Sequence, residues 1–337
     1  MTPDTSGLGV RRSWPHDLRL LWFVIGTVAV TVLAPVIVTG PNLLTFDLAV
    51  IYAIAAIGLN VIFGLGGLLS VAQAAVMAVG AYAVVLTLNR FHIAVLLALA
   101  IACVLGAVTS GLTGLIAIRI RSHYFILASV ALAEGVVLVI TNETKLTGGS
   151  NGVGFDGLPT VFGLDPSDPA QFVLIGVPLA GLVWYLAACL RESRLGVALH
   201  AVRSDDYLAL ASAIPASRCR LWATVIGGAF GGLAGGLLAL LDGYIGPQSF
   251  GLTTAVLLLL MVVFGGASSN GGTVVAAIVL TALTQGLLTA TKVGDLVYGV
   301  AIVLLLVFAS GGLAGLARGA FEWGRRRGHR SKTGQST

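Results

Sequence analysis

Charge is scarce in this 337-residue chain, in which 10% of the residues are Asp, Glu, Lys or Arg and 57% are hydrophobic. Soluble globular chains carry about 25% charged residues. A soluble domain of this length would have to expose far more apolar surface than soluble monomers do. The mean hydropathy is +0.99. These values exclude a soluble globular protein and indicate a chain whose solvent is mostly lipid.

Catalytic and metal-binding patterns are scarce as well. The three cysteines have no metal-type or redox-type spacing, and the five histidines form no ligand pair. Neither a GxxxxGK[ST] phosphate loop nor a GxSxG elbow occurs. A membrane enzyme needs ionisable groups clustered at one depth, and the apolar runs hold very few of them. We therefore expect no catalytic residues, no metal and no cofactor on this chain, and a function other than an enzyme's.

Long apolar runs are what the chain has instead. Roughly 20 such residues cross a bilayer as a helix, and continuous runs favour helices over the alternating strands of a membrane barrel. We predict an all-α, polytopic transmembrane bundle of about ten spans. The shortest run, Thr253–Phe264, covers only about 18 Å. The other predicted spans are Leu20–Val38, Phe46–Phe63, Leu69–Leu88, Ile93–Ile118, Tyr124–Thr141, Phe172–Leu190, Leu221–Leu241, Thr273–Thr289 and Leu296–Phe308.

The loops predict an orientation. Arginines are concentrated at both ends of the chain and in the loops 119–123 and 191–220, whereas the loop 142–170 has Lys145 as its only base. By the positive-inside rule, both termini are cytoplasmic. The chain then divides into a cytoplasmic N-terminal segment 1–19, a transmembrane domain 20–312 and a basic cytoplasmic tail 313–337. The basic ends are typical of membrane orientation signals rather than of nucleic-acid binding.

Glycine marks two kinds of feature among the 45 glycines of the chain. The stretch Gly227–Gly236 repeats small residues at a spacing of four, which predicts a surface for close helix packing. The stretches Gly64–Gly67 and Gly265–Gly272 each interrupt a pair of apolar runs, as in an internal repeat. They predict either broken helices beside a substrate path or ordinary Gly-rich hairpin turns.

A few polar residues lie inside or beside predicted spans. Glu134 is about 15 Å into its run, where a carboxylate is costly unless it is paired, protonated or beside water. Asn60, Ser70 and Gln73 flank the first glycine interruption. These four residues are the candidates for the translocation path, and the alternative is that they only form hydrogen bonds between helices. Asp47, at the start of a run, is expected to complement a helix N-terminus.

The loop 191–220 has the pattern of a docking element. Its segment from Ser193 to Ile214 predicts a short amphipathic helix that Pro215 ends. Asp205 and Asp206 suit the N-terminal turn of the later part of this helix. A cytoplasmic helix of this kind fits a groove on a partner protein, and the alternative is a solvated loop between two spans.

The segment Ser193–Asp206 resembles the cytoplasmic loop of the branched-chain amino acid ABC transporter permeases. Gly58–Ser70, which continues to Gly80-Ala81-Tyr82, resembles the early broken-helix signature of that family. Leu146–Gly152 resembles its outer loop, and Leu260–Gly266 resembles its late span and turn. These markers cover about residues 46–315, and their order is similar to that of the permease subunit with the long outer loop.

The resemblance implies a multi-pass subunit of the bacterial cytoplasmic (inner) membrane. A second permease subunit, two ATPase subunits that bind ATP and Mg²⁺, and an extracytoplasmic solute-binding protein would complete the importer. The substrate would be a branched-chain amino acid or a related small polar solute. The residues that the resemblance assigns to ATPase coupling are Arg194, Gly196, Ala198, Arg203, Asp205 and Asp206.

The sequence departs from the family pattern at Gln73, where the family often has His, and along Leu208–Ile214, which lacks the family's Glu and Gly. Members of the family also import urea, short amides, and aromatic or other organic acids, and these substrates stay open. An ATP-independent secondary transporter or channel is the alternative of another class.

Overall fold

The computed structural model describes residues 26–31, 40–119, 122–157, 160–161, 163–205, 209, 211–267 and 269–290. The predicted span Leu296–Phe308, most of the span Leu20–Val38 and the terminal segments 1–19 and 313–337 lie outside these ranges. The helices are α1 (Pro41–Leu59), continued by a π-helix (Asn60–Leu65), α2 (Gln73–Phe91), α3 (Val95–Arg119), α4 (Ser122–Asn142), α5 (Thr144–Thr147), α6 (Pro169–Glu192), α7 (Arg194–Ser204), α8 (Ala216–Asp242), α9 (Leu252–Gly265) and α10 (Asn270–Ala290).

Seven helices in the described part of the chain are long and apolar enough to cross a membrane. An eighth apolar helix, Asn270–Gln285, is shorter. Each of the eight predicted spans between Phe46 and Thr289 coincides with one of these helices. The helical fold class is therefore confirmed, and the described residues give seven spans by length and composition.

The short predicted span Thr253–Phe264 is longer in the structure. A 3₁₀ turn at Pro247–Phe250 directly precedes α9. Together they form an apolar stretch of 19 residues, Pro247–Gly265. A single irregular turn thus brings this span close to the roughly 20 residues that a bilayer requires.

Helix α8 is the centre of the bundle, and its glycine pairs form two rows that pack against different helices. A Cβ at Gly232 would lie 2.2 Å from the backbone oxygen of Ala102 on α3. A Cβ at Gly235 would lie 1.9 Å from the backbone oxygen of Met77 on α2. Only glycine permits such contacts, so the predicted packing surface is confirmed. The row toward α1 and α2 is Gly227, Gly231 and Gly235, and the row toward α3 is Gly228, Gly232 and Gly236, of which Gly236 also faces Val84 on α2.

The segment between α1 and α2 is a break in helical structure rather than a simple turn. The Gln73 Nε2 atom, at the start of α2, donates to the backbone oxygen of Ala55 at 3.3 Å. Helix α2 therefore begins level with a residue that lies ten positions, or roughly 15 Å, before Leu65. Residues 66–72, called the break below, return through this depth without helical structure. Buried backbone of this kind is tolerated in membranes where protein satisfies its polar groups.

Neighbouring residues satisfy much of the backbone of the break. The Leu68 amide donates to the Ile62 oxygen at 3.2 Å. The Val71 amide donates to Ser129 Oγ on α4 at 3.1 Å. These bonds hold the break against the π-helix and α4, at the same end of the bundle as α7.

The opposite end of the bundle carries the long loop 142–168. Its two-residue strand β1 (Val153–Gly154) pairs antiparallel with β2 (Tyr244–Ile245), which follows α8. The Asn89 Nδ2 atom at the end of α2 donates to the Gly154 oxygen at 2.9 Å. The loop is therefore attached to α2 and α8, and the all-α prediction needs this one small strand pair added.

Candidate functional site

Helix α7 forms the corner between α6 and α8. Ser193 caps its N-terminus, because its Oγ accepts from the Gly196 amide at 3.2 Å. Leu199 and Val202, three residues apart, are 0% and 1% exposed and pack into the bundle. On the other side Val197 is 64% exposed. The helix is therefore amphipathic as predicted, with an outward face composed of Arg194, Val197, His200 and Ser204.

The predicted end of this helix is wrong. Helix α7 ends at Ser204, and Asp205 has an extended backbone with φ −161° and ψ 116°. The Ala209 amide donates to the Asp205 oxygen at 3.1 Å. The extended residue interrupts the helix because its φ and ψ lie outside the helical region.

The six residues that the resemblance assigns to coupling occupy different positions. Arg194 and Arg203 are exposed, and Ala198 and Asp205 are half-buried. Gly196 is buried, and a Cβ there would lie 2.3 Å from the Leu190 oxygen, so this glycine permits the tight corner between α6 and α7. Asp206 lies outside the described residues.

The two glycine interruptions of the sequence meet in the structure. The Asn60 Nδ2 atom, at the first residue of the π-helix, donates to Asn270 Oδ1 at 3.1 Å. Asn270 is the first residue of α10 and lies within the second interruption, Gly265–Gly272. Asn60 is 1% exposed and Asn270 is half-buried, so this bond is partly buried. It joins two discontinuities that are 210 residues apart in the chain.

Ser70 and Gln73 are also buried inside the bundle. Gln73 Nε2 donates to the oxygens of Ala55 on α1 and of Gly227 on α8, at 3.3 and 3.1 Å. Ser70 Oγ accepts from the Ala72 amide at 3.3 Å. The structure thus places Asn60, Ser70 and Gln73 in contacts that hold helices and the break together.

Glu134 lies apart from these three residues. It is exposed near the middle of α4, on the side away from the bundle. The inward side of α4 carries Phe125 and Ser129, each 1% exposed. Residues at spacings of three and four share one side of a helix, and Glu134 shares its side with large exposed apolar residues. The exposed α4 face is Tyr124, Leu127, Ala131, Glu134 and Leu138.

Asp47 does not complement the N-terminus of α1. That helix begins at Pro41, six residues earlier, and its first turn has no acidic residue. Asp47 is 0% exposed, and neither carboxylate oxygen has a hydrogen-bond partner. The sequence prediction failed because the helix extends one and a half turns beyond the apolar run that was used to locate its start.

A model of the family described as "Branched-chain amino acid transport system / permease component" matches residues 43–319. The chain belongs to this family. The match confirms the resemblance that the sequence motifs indicate. The matched part of the chain includes most of α1 and all of α7, α8, the break and the exposed α4 face.

Two similar relatives are named as permease proteins of such a transport system. They are the high-affinity branched-chain amino acid transport system permease proteins LivM of Escherichia coli (strain K12) and of Salmonella typhimurium (strain LT2). The identities are 30% and 29% over 251 residues, which cover 68% of this chain and 59% of each relative. The chain thus spans about three fifths of the length of the curated relatives that it matches. No solved structure matches significantly.

As a member of this permease family with several apolar helices, the chain is a multi-pass membrane protein. The relatives are transport permease components and not enzymes. Within the described ranges, no group of three or more His, Cys, Asp or Glu side chains could hold a metal ion.

Gln73 provides a test of the packing inside this permease. Replacing Gln73 with Met keeps the length of the side chain but removes both donated bonds, which should lower the free energy of unfolding by about 1 kcal/mol. Gln73→Glu should lower it further, because a carboxylate would face the oxygens of Ala55 and Gly227. Thermal unfolding in detergent measures both. A Gln73→Met protein as stable as the wild type would show that the bonds from Gln73 to Ala55 and Gly227 do not stabilise the bundle.

Several residues that organise the site have no signal of their own in the sequence. Asn270 and Ser129 are ordinary polar residues in or beside apolar runs, and their partners are distant in the chain. The same is true of the contact from Arg203 Nη1 to the Gly64 oxygen. A covarying pair in related sequences is the signal that would have revealed them.

Proposed function

We propose that this chain is the transmembrane permease subunit of an ATP-binding-cassette importer in the bacterial inner membrane. It would form half of the translocation path and receive its driving force from separate ATPase subunits. In this proposal the chain has about ten spans with both termini cytoplasmic, so that α7 and the break lie on the cytoplasmic side. ATP and Mg²⁺ would bind only to the ATPase subunits.

The observation that carries the proposal is the amphipathic helix α7 at a corner between two spans. Its inward residues Leu199 and Val202 are buried in the bundle, so a movement of the helix would also move the residues that pack against it. On its outward face the apolar side chain of Val197 is exposed beside Arg194. A short amphipathic helix with such anchors is suited to a groove on a partner protein. We assign that groove to an ATPase subunit.

The exposed α4 face supports an assignment of the path. An exposed carboxylate near the middle of a span is costly against lipid, by about 2.5–3.5 kcal/mol on insertion scales for acidic residues at a helix centre. Glu134 sits on such a face, between Leu127 and Leu138. We infer that this face meets the second permease subunit and that Glu134 faces the water-filled path between the two subunits.

The proposed substrate is taken from the names of the relatives. Because the relatives transport branched-chain amino acids by name, we propose those or related small polar solutes as the cargo. The extracytoplasmic binding protein would select the solute and deliver it at the end of the bundle that carries the loop 142–168. Urea, short amides and aromatic or organic acids are the competing cargoes.

Uptake into proteoliposomes tests this proposal. The permease, its second permease and both ATPase subunits are reconstituted with the binding protein, and uptake of labelled leucine is followed with and without ATP. We expect uptake only with ATP and the ATPase subunits. Uptake by the permease subunits alone would instead favour a secondary transporter or channel.

The variant Val197→Asp tests the docking surface itself. A charge at position 197 should release the ATPase subunits, because the new carboxylate would be buried without a partner in the groove of the ATPase subunit. Co-purification of the ATPase subunits measures this, and the control is Leu146→Asp. Leu146 is 43% exposed and lies in α5, outside the spans and at the end of the bundle opposite α7. Normal co-purification and uptake with Val197→Asp would contradict the assignment of α7 as the ATPase-docking helix.

A further inference from the structure

Helix α7 and the break are connected by contacts of Arg203. Its Nη1 atom donates to the backbone oxygen of Gly64, which is buried near the end of the π-helix. Its side chain also covers Gly67, where a Cβ would lie 3.3 Å from Arg203 Cγ. The last turn of α7 is thus joined to the point where helical structure in α1 ends.

The Gly64 oxygen is a natural partner for a cation. Backbone oxygens in the last turn of a helix lose their partners within the helix and carry partial negative charge. Here the Leu68 amide, which would bond to Gly64 in a continuing α-helix, donates to the Ile62 oxygen instead. The Arg203 guanidinium supplies a charged donor at this terminal position.

The π-helix has a second contact at its other end. Asn60, its first residue, donates to Asn270 at the start of α10. Six residues therefore connect the ATPase-facing helix α7, through Arg203, with the junction of α9 and α10. A π-helix contains a hydrogen-bond register that differs from the surrounding α-helix, and such segments are frequent at functional sites. Conversion between registers would move Asn60 relative to Asn270.

We propose that Arg203 is the positioning residue that transmits movement of α7 to the π-helix Asn60–Leu65 and from there to the Asn60–Asn270 junction. The inference rests on the proposed function, since it requires α7 to be the ATPase-docking helix. It adds that docking and transmission are carried by different residues of α7. The outward face, with Val197, binds the ATPase subunit, and Arg203 conveys the movement to the break.

The experiment uses the full reconstituted complex and measures leucine uptake and ATP hydrolysis in the same vesicles. Arg203→Met keeps the unbranched stem beside Gly67 but cannot donate to Gly64. We expect the ATPase subunits to stay bound and to hydrolyse ATP, while the leucine imported per ATP falls about tenfold, within the usual range for coupling between sites. Arg203→Lys, which can still donate, should restore part of the ratio.

A pair of glycine variants tests the same contact without touching Arg203. Gly67 and Gly243 have nearly identical left-handed backbones, with φ of +69° and +68°. A Cβ at Gly67 meets Arg203, whereas one at Gly243 meets nothing within 4 Å. Both Ala variants have the same backbone strain. We expect only Gly67→Ala to lower the uptake per ATP.

The outcomes separate the two proposals. An unchanged uptake per ATP in Arg203→Met would overturn the transmission role. Loss of the ATPase subunits in Arg203→Met would also overturn it, because Arg203 would then be a docking residue. If Arg203→Met fails to fold, the Gly67→Ala and Gly243→Ala pair decides, and equal ratios there count against the inference. Val197→Asp with normal uptake would instead remove the proposed function itself.

Discussion

Gly232→Ala should lower the stability of the bundle, although alanine is the better helix former. In a helix interior, replacing glycine with alanine gains about 1 kcal/mol from propensity alone. At Gly232 the new methyl group would lie 2.2 Å from the Ala102 oxygen and 3.0 Å from Gly106 Cα, both of them backbone atoms. Backbone cannot move aside as a side chain can, so α8 and α3 must separate. Overpacking of this kind typically costs about 1–3 kcal/mol.

Gly135→Ala is the matched control for this prediction. Gly135 lies within α4, and a Cβ there meets nothing within 4 Å. The chemical change is the same, and only the packing differs. Thermal unfolding in detergent should show a lower midpoint for Gly232→Ala and an unchanged or higher one for Gly135→Ala. Equal shifts in the two proteins would show that the glycine rows do not determine the helix spacing.

The glycine rows belong to the part of the fold that the sequence predicts well. Apolar runs of about 20 residues and small residues four apart are local patterns, and lipid leaves few other ways to satisfy the backbone. The eight apolar helices between Pro41 and Ala290 and the packing surface of α8 follow from these patterns. The short span at Thr253–Phe264 was underestimated because a 3₁₀ turn leaves no periodic signal.

The contacts of the candidate site are less predictable, since they join residues that are far apart in the chain. Arg203 and Gly64 are 139 residues apart, and Asn60 and Asn270 are 210 apart. A single polar side chain has no periodicity from which its partner could be deduced. The end of α7 at Ser204 was missed for a related reason. The amphipathic pattern continues past Asp205, and nothing in that pattern marks the extended backbone of this residue.

The side of a membrane helix on which a residue lies is also not predictable from the sequence. In a soluble helix the polar side identifies the solvent, but lipid-facing and core-facing sides of a membrane helix are both apolar. The depth of Glu134 could therefore be predicted from its position in the run, whereas its side could not. The structure places it on the exposed α4 face, away from Asn60 and Gln73.

Glu134→Leu is accordingly expected to abolish most uptake without destabilising the isolated permease. The side chain is exposed in the single chain, so its loss removes no packing within the bundle. In the importer it would remove the carboxylate that we assign to the path between the two permeases. Uptake should fall by about tenfold or more, since each 1.4 kcal/mol of lost stabilisation is a factor of ten. Glu134→Gln, which keeps the shape and the hydrogen-bonding capacity, should lie between Leu and the wild type.

Leu127→Ala separates the role of the carboxylate from that of the surface around it. Leu127 is 68% exposed on the same face and has no polar group. Uptake per assembled complex should be near normal in this variant if the carboxylate itself is required. If Glu134 instead faced lipid, the opposite effects on stability and uptake would be expected. Glu134→Leu would then raise the unfolding temperature, because a buried charge in hydrocarbon is relieved, and uptake would be unaffected. The two assays together therefore identify which environment Glu134 occupies.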